Sequence, residues 1–190
     1  SANALEIVTI DNQTAIISAP TGEVTLTATN DAATSNIDFG VTAVKVTLAD
    51  GKFDAKTDNA KITAPTIVIS GDTDVTGSVL QTASVAITST NDVAIDAIDE
   101  NSAGAGFVVA GASATGDITI VTDADATANG NATIFTGSGN DNVTLNDANT
   151  TFVVNTGGNT GTETITVTNM ETGSSISSGA GADTIDINDT

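Results

Sequence analysis

Three stretches in the C-terminal part of the sequence place an acidic residue at a fixed distance after a glycine. They align without gaps, and each continues into alternating apolar residues: GSGNDNVTL (137–145), NTGTETITV (159–167) and GAGADTIDI (179–187). The acids are Asp141, Glu163 and Asp183. Glycine lets backbone carbonyls come close to one point, and Ca²⁺ takes about six to eight oxygen ligands, many of them carbonyls. The pattern therefore offers the ligand types that calcium prefers.

The distance between the copies matters as much as their composition. The central glycines Gly139, Gly161 and Gly181 are 22 and 20 residues apart. One such turn cannot supply enough oxygen ligands for Ca²⁺, but two turns stacked one above the other can enclose an ion between them. A fold whose coils have this length would stack the copies directly. We therefore predict calcium between neighbouring coils.

At these residues the chain resembles the nonapeptide repeat G-G-x-G-x-D-x-U-x of RTX proteins. TGSGNDNVT (136–144) and SGAGADTID (178–186) match the repeat except at the first glycine, where Thr136 and Ser178 stand. The resemblance implies a calcium-loaded parallel β-roll, with Glu163 in the aspartate place of a degenerate third copy. The ligand residues implied in this way are Gly137, Gly139, Asn140, Asp141, Gly161, Glu163, Gly179, Gly181 and Asp183.

The arrangement of the copies departs from a standard RTX block, in which the nonapeptides follow one another in tandem. Here other sequence separates them. This looks more like the calcium-decorated β-solenoids of bacterial S-layer proteins, which carry scattered and degenerate RTX-like repeats. The acidic, cysteine-free composition rich in small residues is similar to that of S-layer proteins and of large RTX adhesins.

A second acidic stretch, TDADATANGN (122–131), places Asp123 and Asp125 two residues apart. It lacks the ligand order of an EF-hand loop and has no flanking helices. Two interpretations stay open for these residues: a solvated polar turn, or additional calcium ligands.

The elements that must position the turns are predicted to be strands. Apolar residues alternate with polar ones, as in EVTLTA (23–28), TIVIS (66–70), DITIV (117–121), NVTL (142–145) and ETITV (163–167). Such short runs, rich in β-branched residues and bounded by Gly, Asn, Asp and Ser, are typical of β-strands. No segment shows an apolar stripe at helical spacing. The sequence therefore indicates an all-β fold.

The strand spacing favours a parallel β-solenoid. Strands that begin at residues 23, 43, 66 and 84 are separated by 20, 23 and 18 residues, with weaker apolar segments between them. We predict one solenoid segment of a larger protein over residues 1–190, with coils of about 20 residues. DENSAGAG (99–106) is either a long turn or a boundary. The alternative is a β-sandwich, but its core usually contains bulky aromatics, and the chain has five Phe and no Trp or Tyr.

Composition excludes several functional classes. A net charge of −20, with four basic residues, argues against nucleic acid and anionic membranes as partners. No run of about 18 apolar residues is present, so we expect no insertion into a membrane. The chain has no histidine or cysteine, which removes the usual general base, thiol nucleophile and transition-metal ligands. We therefore expect a protein that is not an enzyme.

Together these features favour a structural calcium-binding protein that is secreted to the bacterial cell surface. The resemblance implies a component of an S-layer lattice, whose turns bind Ca²⁺ between coils. Its expected partners are further copies of itself and the polysaccharide of the cell surface. The alternative is a repeat module of a secreted RTX adhesin or biofilm protein that binds a surface ligand.

Overall fold

The computed structural model of the chain describes residues 5–8, 14–27, 38–52, 61–71, 73–100, 106–122, 130–146, 150–157 and 161–188. Throughout these ranges the regular elements are β-strands, and none of the described residues forms a helix long and apolar enough to cross a membrane. The strands are β1 Leu5–Val8, β2 Thr14–Thr27, β3 Asp38–Lys52, β4 Lys61–Thr63, β5 Thr66–Ile69, β6 Thr73–Thr82, β7 Ser84–Ile87, β8 Val93–Glu100, β9 Phe107–Ala110, β10 Ile118–Thr122, β11 Asn131–Phe135, β12 Asn142–Leu145, β13 Thr151–Asn155, β14 Thr164–Thr168, β15 Ser175–Ser177 and β16 Thr184–Asn188.

Every strand pairing is parallel, and each strand pairs with its counterpart one coil away. Partner residues lie 18 positions apart between β5 and β7, 22 between β12 and β14, and 25 between β8 and β10. This arrangement confirms the predicted parallel β-solenoid with coils of about 20 residues. It rules out the β-sandwich for the described residues, because a sandwich is built from antiparallel sheets.

The coils have three faces in the N-terminal part of the described chain. Face A consists of β5, β7, β9, β11, β13 and β15. Face B consists of β10, β12, β14 and β16, together with the first residues of β6 and β8. Face C consists of β4 and the last residues of β6 and β8. Strand β3 bends around all three faces, because Val41 pairs with β4, Lys45 with β5 and Gly51 with β6.

The core is built from columns of aliphatic side chains, one residue per coil. On face A the column contains Ile67, Val85, Val109, Ile134 and Val154, all at most 1% exposed. Each such side chain contributes about 1.5–3 kcal/mol when it is fully removed from water. Alternation along a strand therefore sends one residue into the core and the next one outward. This explains why small β-branched residues are sufficient for the fold.

Face B has aliphatic columns of the same kind, and they continue up to the last described coil. Ile165 and Val167 of β14 are fully buried, whereas Ile185 and Ile187 of β16, which stand in register with them, are 45% and 46% exposed. The ladder also runs past the stretch 99–106, since β7 pairs with β9 and β8 pairs with β10. Residues 101–105 of that stretch lie outside the described residues.

Candidate metal-binding turns

The corner between face A and face B contains the glycine-acid turns. Backbone pairing places Asn142, Thr164 and Thr184 in register, at the start of β12, β14 and β16. The residues just before them are Asp141, Glu163 and Asp183, which we call the inner acid column. Sequence reasoning therefore identified three acids that the structure brings into one column of three consecutive coils. Neighbouring members are one strand spacing apart, about 4.8 Å along the backbone.

Asp141 is almost completely buried, with 1% of its surface exposed. Its Oδ2 accepts a hydrogen bond from the Thr136 hydroxyl at 2.5 Å, and its Oδ1 accepts one from the backbone N–H of Ile118, one coil earlier, at 3.0 Å. Burial raises the pKa of Asp141 above its ordinary value, while the bonds from Thr136 and Ile118 oppose the rise. Both carboxylate oxygens thus have internal partners.

Glu163 and Asp183 interact with each other. Asp183 is partly exposed, and its Oδ1 accepts a hydrogen bond from the backbone N–H of Glu163 at 3.3 Å. The pKa of Asp183 is lowered, first by a side-chain hydrogen bond with Glu163 and next by one with Ser178. Glu163 is fully buried. The Asp183 carboxylate therefore connects its own coil to the backbone of the preceding coil at Glu163.

The glycines of the turns are required by close stacking of the coils. A Cβ on Gly137 would overlap the carbonyl group of Ala114, and one on Gly181 would overlap the carbonyl oxygen of Gly161. Both obstacles are backbone atoms, which cannot move aside. Among the predicted ligand glycines, only Gly179 has a positive φ, at 86°. A positive φ therefore explains why glycine stands at position 179. Close contact with the backbone of the preceding coil explains the glycines at positions 137, 139 and 181.

A second column of polar residues runs along the outside of the same corner. The Asp92 Oδ1 accepts a hydrogen bond from the N–H of Asp117 at 3.0 Å, and the Asp117 Oδ1 accepts one from the N–H of Asn140 at 2.7 Å. In turn the Asn140 Oδ1 accepts one from the N–H of Thr162 at 3.0 Å. Each side chain therefore holds the backbone of the next coil. We call Asp92, Asp117 and Asn140 the outer column.

The outer column includes two residues that sequence reasoning did not select as ligands. Asp92 resembles Asp141 in the sequence, because both follow an asparagine before a strand, but it occupies the place of Asn140 in the structure. Asp117 lies outside the three aligned glycine-acid stretches. The available signal was the Gly-Asp pair at 116–117, one residue before β10 begins.

The chemistry of the inner acid column suits a hard cation, since carboxylates and backbone carbonyls are the ligands of Ca²⁺. Both Asp141 oxygens nevertheless have internal partners in Thr136 and Ile118, and the Asp183 Oδ1 accepts the N–H of Glu163. Within the described ranges, no three or more acidic side chains converge on a point that could hold a metal ion. Asp123 and Asp125 lie outside the described residues. Calcium binding stays a prediction, and an ion would have to replace these internal hydrogen bonds.

Comparisons with protein-family models, with curated proteins and with solved structures find no match to this chain.

Proposed function

We propose that this chain is a structural segment of a secreted bacterial cell-surface protein, and that it serves as a rigid rod in an S-layer lattice. The observation that supports this role most strongly is the unbroken parallel ladder from β3 to β16, in which each coil is held by the next. Such a ladder produces an elongated and regular body, because each coil contacts only its neighbours.

We further propose that Ca²⁺ strengthens this body at the inner acid column. The chain carries a net charge of −20, which opposes compaction. The described ion pair joins Lys45 to Glu23 at 3.4 Å, far along the solenoid from the three acids. A divalent cation at the column would neutralise carboxylates of adjacent coils. Binding to the folded state alone stabilises that state in proportion to RT ln(1 + [L]/Kd).

Thermal unfolding followed by circular dichroism tests the calcium part of this function. We expect the Tm of the whole chain to rise on adding CaCl₂ and to fall again with a chelator, while MgCl₂ at equal ionic strength has a smaller effect. Asp183→Asn should reduce the calcium-dependent rise. Asp186→Asn is the matched control, because Asp186 is exposed on face B of the same strand and lies outside the inner acid column. If neither calcium nor a chelator changes the Tm, the calcium part of the proposal is wrong.

The lattice part of the function has its own readout. Electron microscopy of the purified chain at high concentration should show ordered arrays or filaments with a constant repeat. Particles that stay single and irregular under every calcium concentration would contradict the lattice role, whatever the result of the melting experiment.

A further inference from the structure

The outward side of face A carries no charged residue over six consecutive coils. In β5, β7, β9, β11, β13 and β15 the inward residues alternate with outward ones. Every outward residue of these strands is Ser, Thr, Ala, Val, Phe or Asn. We call this surface, formed by the outward residues of the six strands, the neutral face.

The neutral face contrasts with the rest of a strongly acidic chain. Described carboxylates occur at the corner of the two columns, as with Asp92 and Asp117, and on the outward side of face B in β6 and β16, as with Asp74 and Asp186. The outward residues of β10, β12 and β14 on face B are also uncharged, but that stretch is shorter than the six strands of the neutral face. Glu171 lies exposed in the turn before β15. Two copies that approached through these regions would bring carboxylates against carboxylates. Repulsion of this kind is strong at low salt.

The neutral face is also flat and partly apolar. Val108, Thr133 and Val153 form one outward row, and β9, β11 and β13 pair along it without a bulge. Val108 is 41% exposed and Val153 is 39% exposed. At the edge of the face, Phe135 and Asn155 line an open groove of about 480 Å³. Two sheets with small outward side chains can pack face to face at about 10 Å.

From this charge distribution we propose that the neutral face binds the neutral face of a second copy of the chain. The inference rests on the proposed lattice role and assigns one contact of that lattice. Six strands about 4.8 Å apart, each about four residues long, give an area of about 400 Å² per copy. A stable dimer usually buries about 800 Å² per partner, so this contact is weak alone and becomes effective by repetition.

Analytical ultracentrifugation of the whole chain over a range of concentrations tests this proposal. In Val153→Glu a carboxylate is placed in the exposed outward row of the neutral face, and we expect self-association to weaken by at least about tenfold, because both copies would bury an unpaired charge. Thr166→Glu is the matched control: Thr166 lies outward in the middle of β14 on face B, one strand later in the chain. It should associate like the wild type. Thr133→Glu provides a second variant if Val153→Glu fails to fold, which circular dichroism detects.

Salt and calcium separate this contact from the proposed function. Association through a neutral face should strengthen as NaCl rises, because salt screens the repulsion between the remaining charges. Association through the neutral face should persist in a chelator. If the chain associates but its Tm does not depend on calcium, only the calcium proposal is contradicted. A chain that stays monomeric at all concentrations, or equal association of Val153→Glu and Thr166→Glu, would overturn the inference. So would a monomer that binds a neutral polysaccharide through Val153, since the occupant would then be a glycan.

Discussion

Asp141 offers a prediction in which charge and hydrogen bonding can be separated. Replacing it by alanine removes the acceptor of the Thr136 hydroxyl and of the Ile118 N–H. Both Thr136 and Ile118 are buried, at 1% and 0% exposure. A buried polar group that loses its partner costs about 1–3 kcal/mol. Replacing Asp141 by asparagine keeps both bonds, because the amide oxygen can accept from Ile118 and the amide nitrogen can donate to the Thr136 oxygen.

We therefore expect Asp141→Asn to exceed Asp141→Ala in free energy of unfolding by about 2–6 kcal/mol in the presence of a chelator. Asp141→Asn should equal or exceed the wild type under these conditions, because it removes a buried charge. Urea unfolding followed by circular dichroism measures the difference. Equal stability of the two variants would refute the reasoning, since it would mean that the two hydrogen bonds contribute nothing.

The pH dependence of the wild type's free energy of unfolding tests the environment of Asp141 independently. Because burial raises the pKa of Asp141 in the folded state, that state binds a proton more tightly than the unfolded chain. The contribution of Asp141 to stability therefore falls as pH rises through the interval above its ordinary value of 3.8. Asp141→Asn should remove this part of the pH profile. Identical profiles for wild type and variant between pH 3 and pH 7 would show that the group does not titrate differently on folding.

Three other outcomes follow from the described contacts. Thr156 is fully buried and its hydroxyl has no hydrogen-bond partner among the described residues, so Thr156→Val should stabilise the folded chain by about 1 kcal/mol. Thr82→Val should destabilise it, because the Thr82 hydroxyl donates a hydrogen bond to the Ser84 carbonyl at 3.0 Å. The midpoints of urea unfolding check both variants. Gly137→Ala should lower the Tm, because the new Cβ would overlap backbone of the preceding coil. Asp183 has a lowered pKa, so its contribution is present above 3.8 and disappears as pH falls through the folded-state pKa, a loss that Asp183→Asn should abolish in an acid titration.

The strands could be predicted from the sequence because alternation of apolar and polar residues directly reports which side chains enter the core. The short strands β4 and β15, with the sequences KIT and SIS, also place an apolar residue between two polar ones. A parallel ladder gives each coil the same local requirement, so every coil repeats the same signal. The approximate coil length followed from the same spacing.

The partners within the turns could not be predicted in the same way. Coil length varies between 18 and 25 residues, because the turns differ in length while the strands stay in register. Matching the Asn-Asp pairs that precede strands therefore aligns Asp92 with Asp141, whereas the hydrogen bonds between coils place Asp92 in the column of Asn140. The contact between Thr136 and Asp141 is also invisible in the repeat, where Thr136 replaces the expected first glycine.

The inner acid column and the outer column differ in whether they need carboxyl groups. In the outer column Asn140 accepts the N–H of the next coil at 3.0 Å, as Asp117 does at 2.7 Å, so holding a neighbouring coil needs an oxygen acceptor and no negative charge. In the inner acid column all three members are acids, although Asp141 and Asp183 also accept backbone N–H groups that an amide oxygen could accept equally well. Hydrogen bonding therefore accounts for the acceptors of the inner column but does not require that they be carboxyls, whereas a cation bound between adjacent coils would require it. For this reason aspartate-to-asparagine exchange distinguishes the two columns: we expect it to have almost no effect on stability at Asp117 and to reduce the calcium-dependent stability at Asp183.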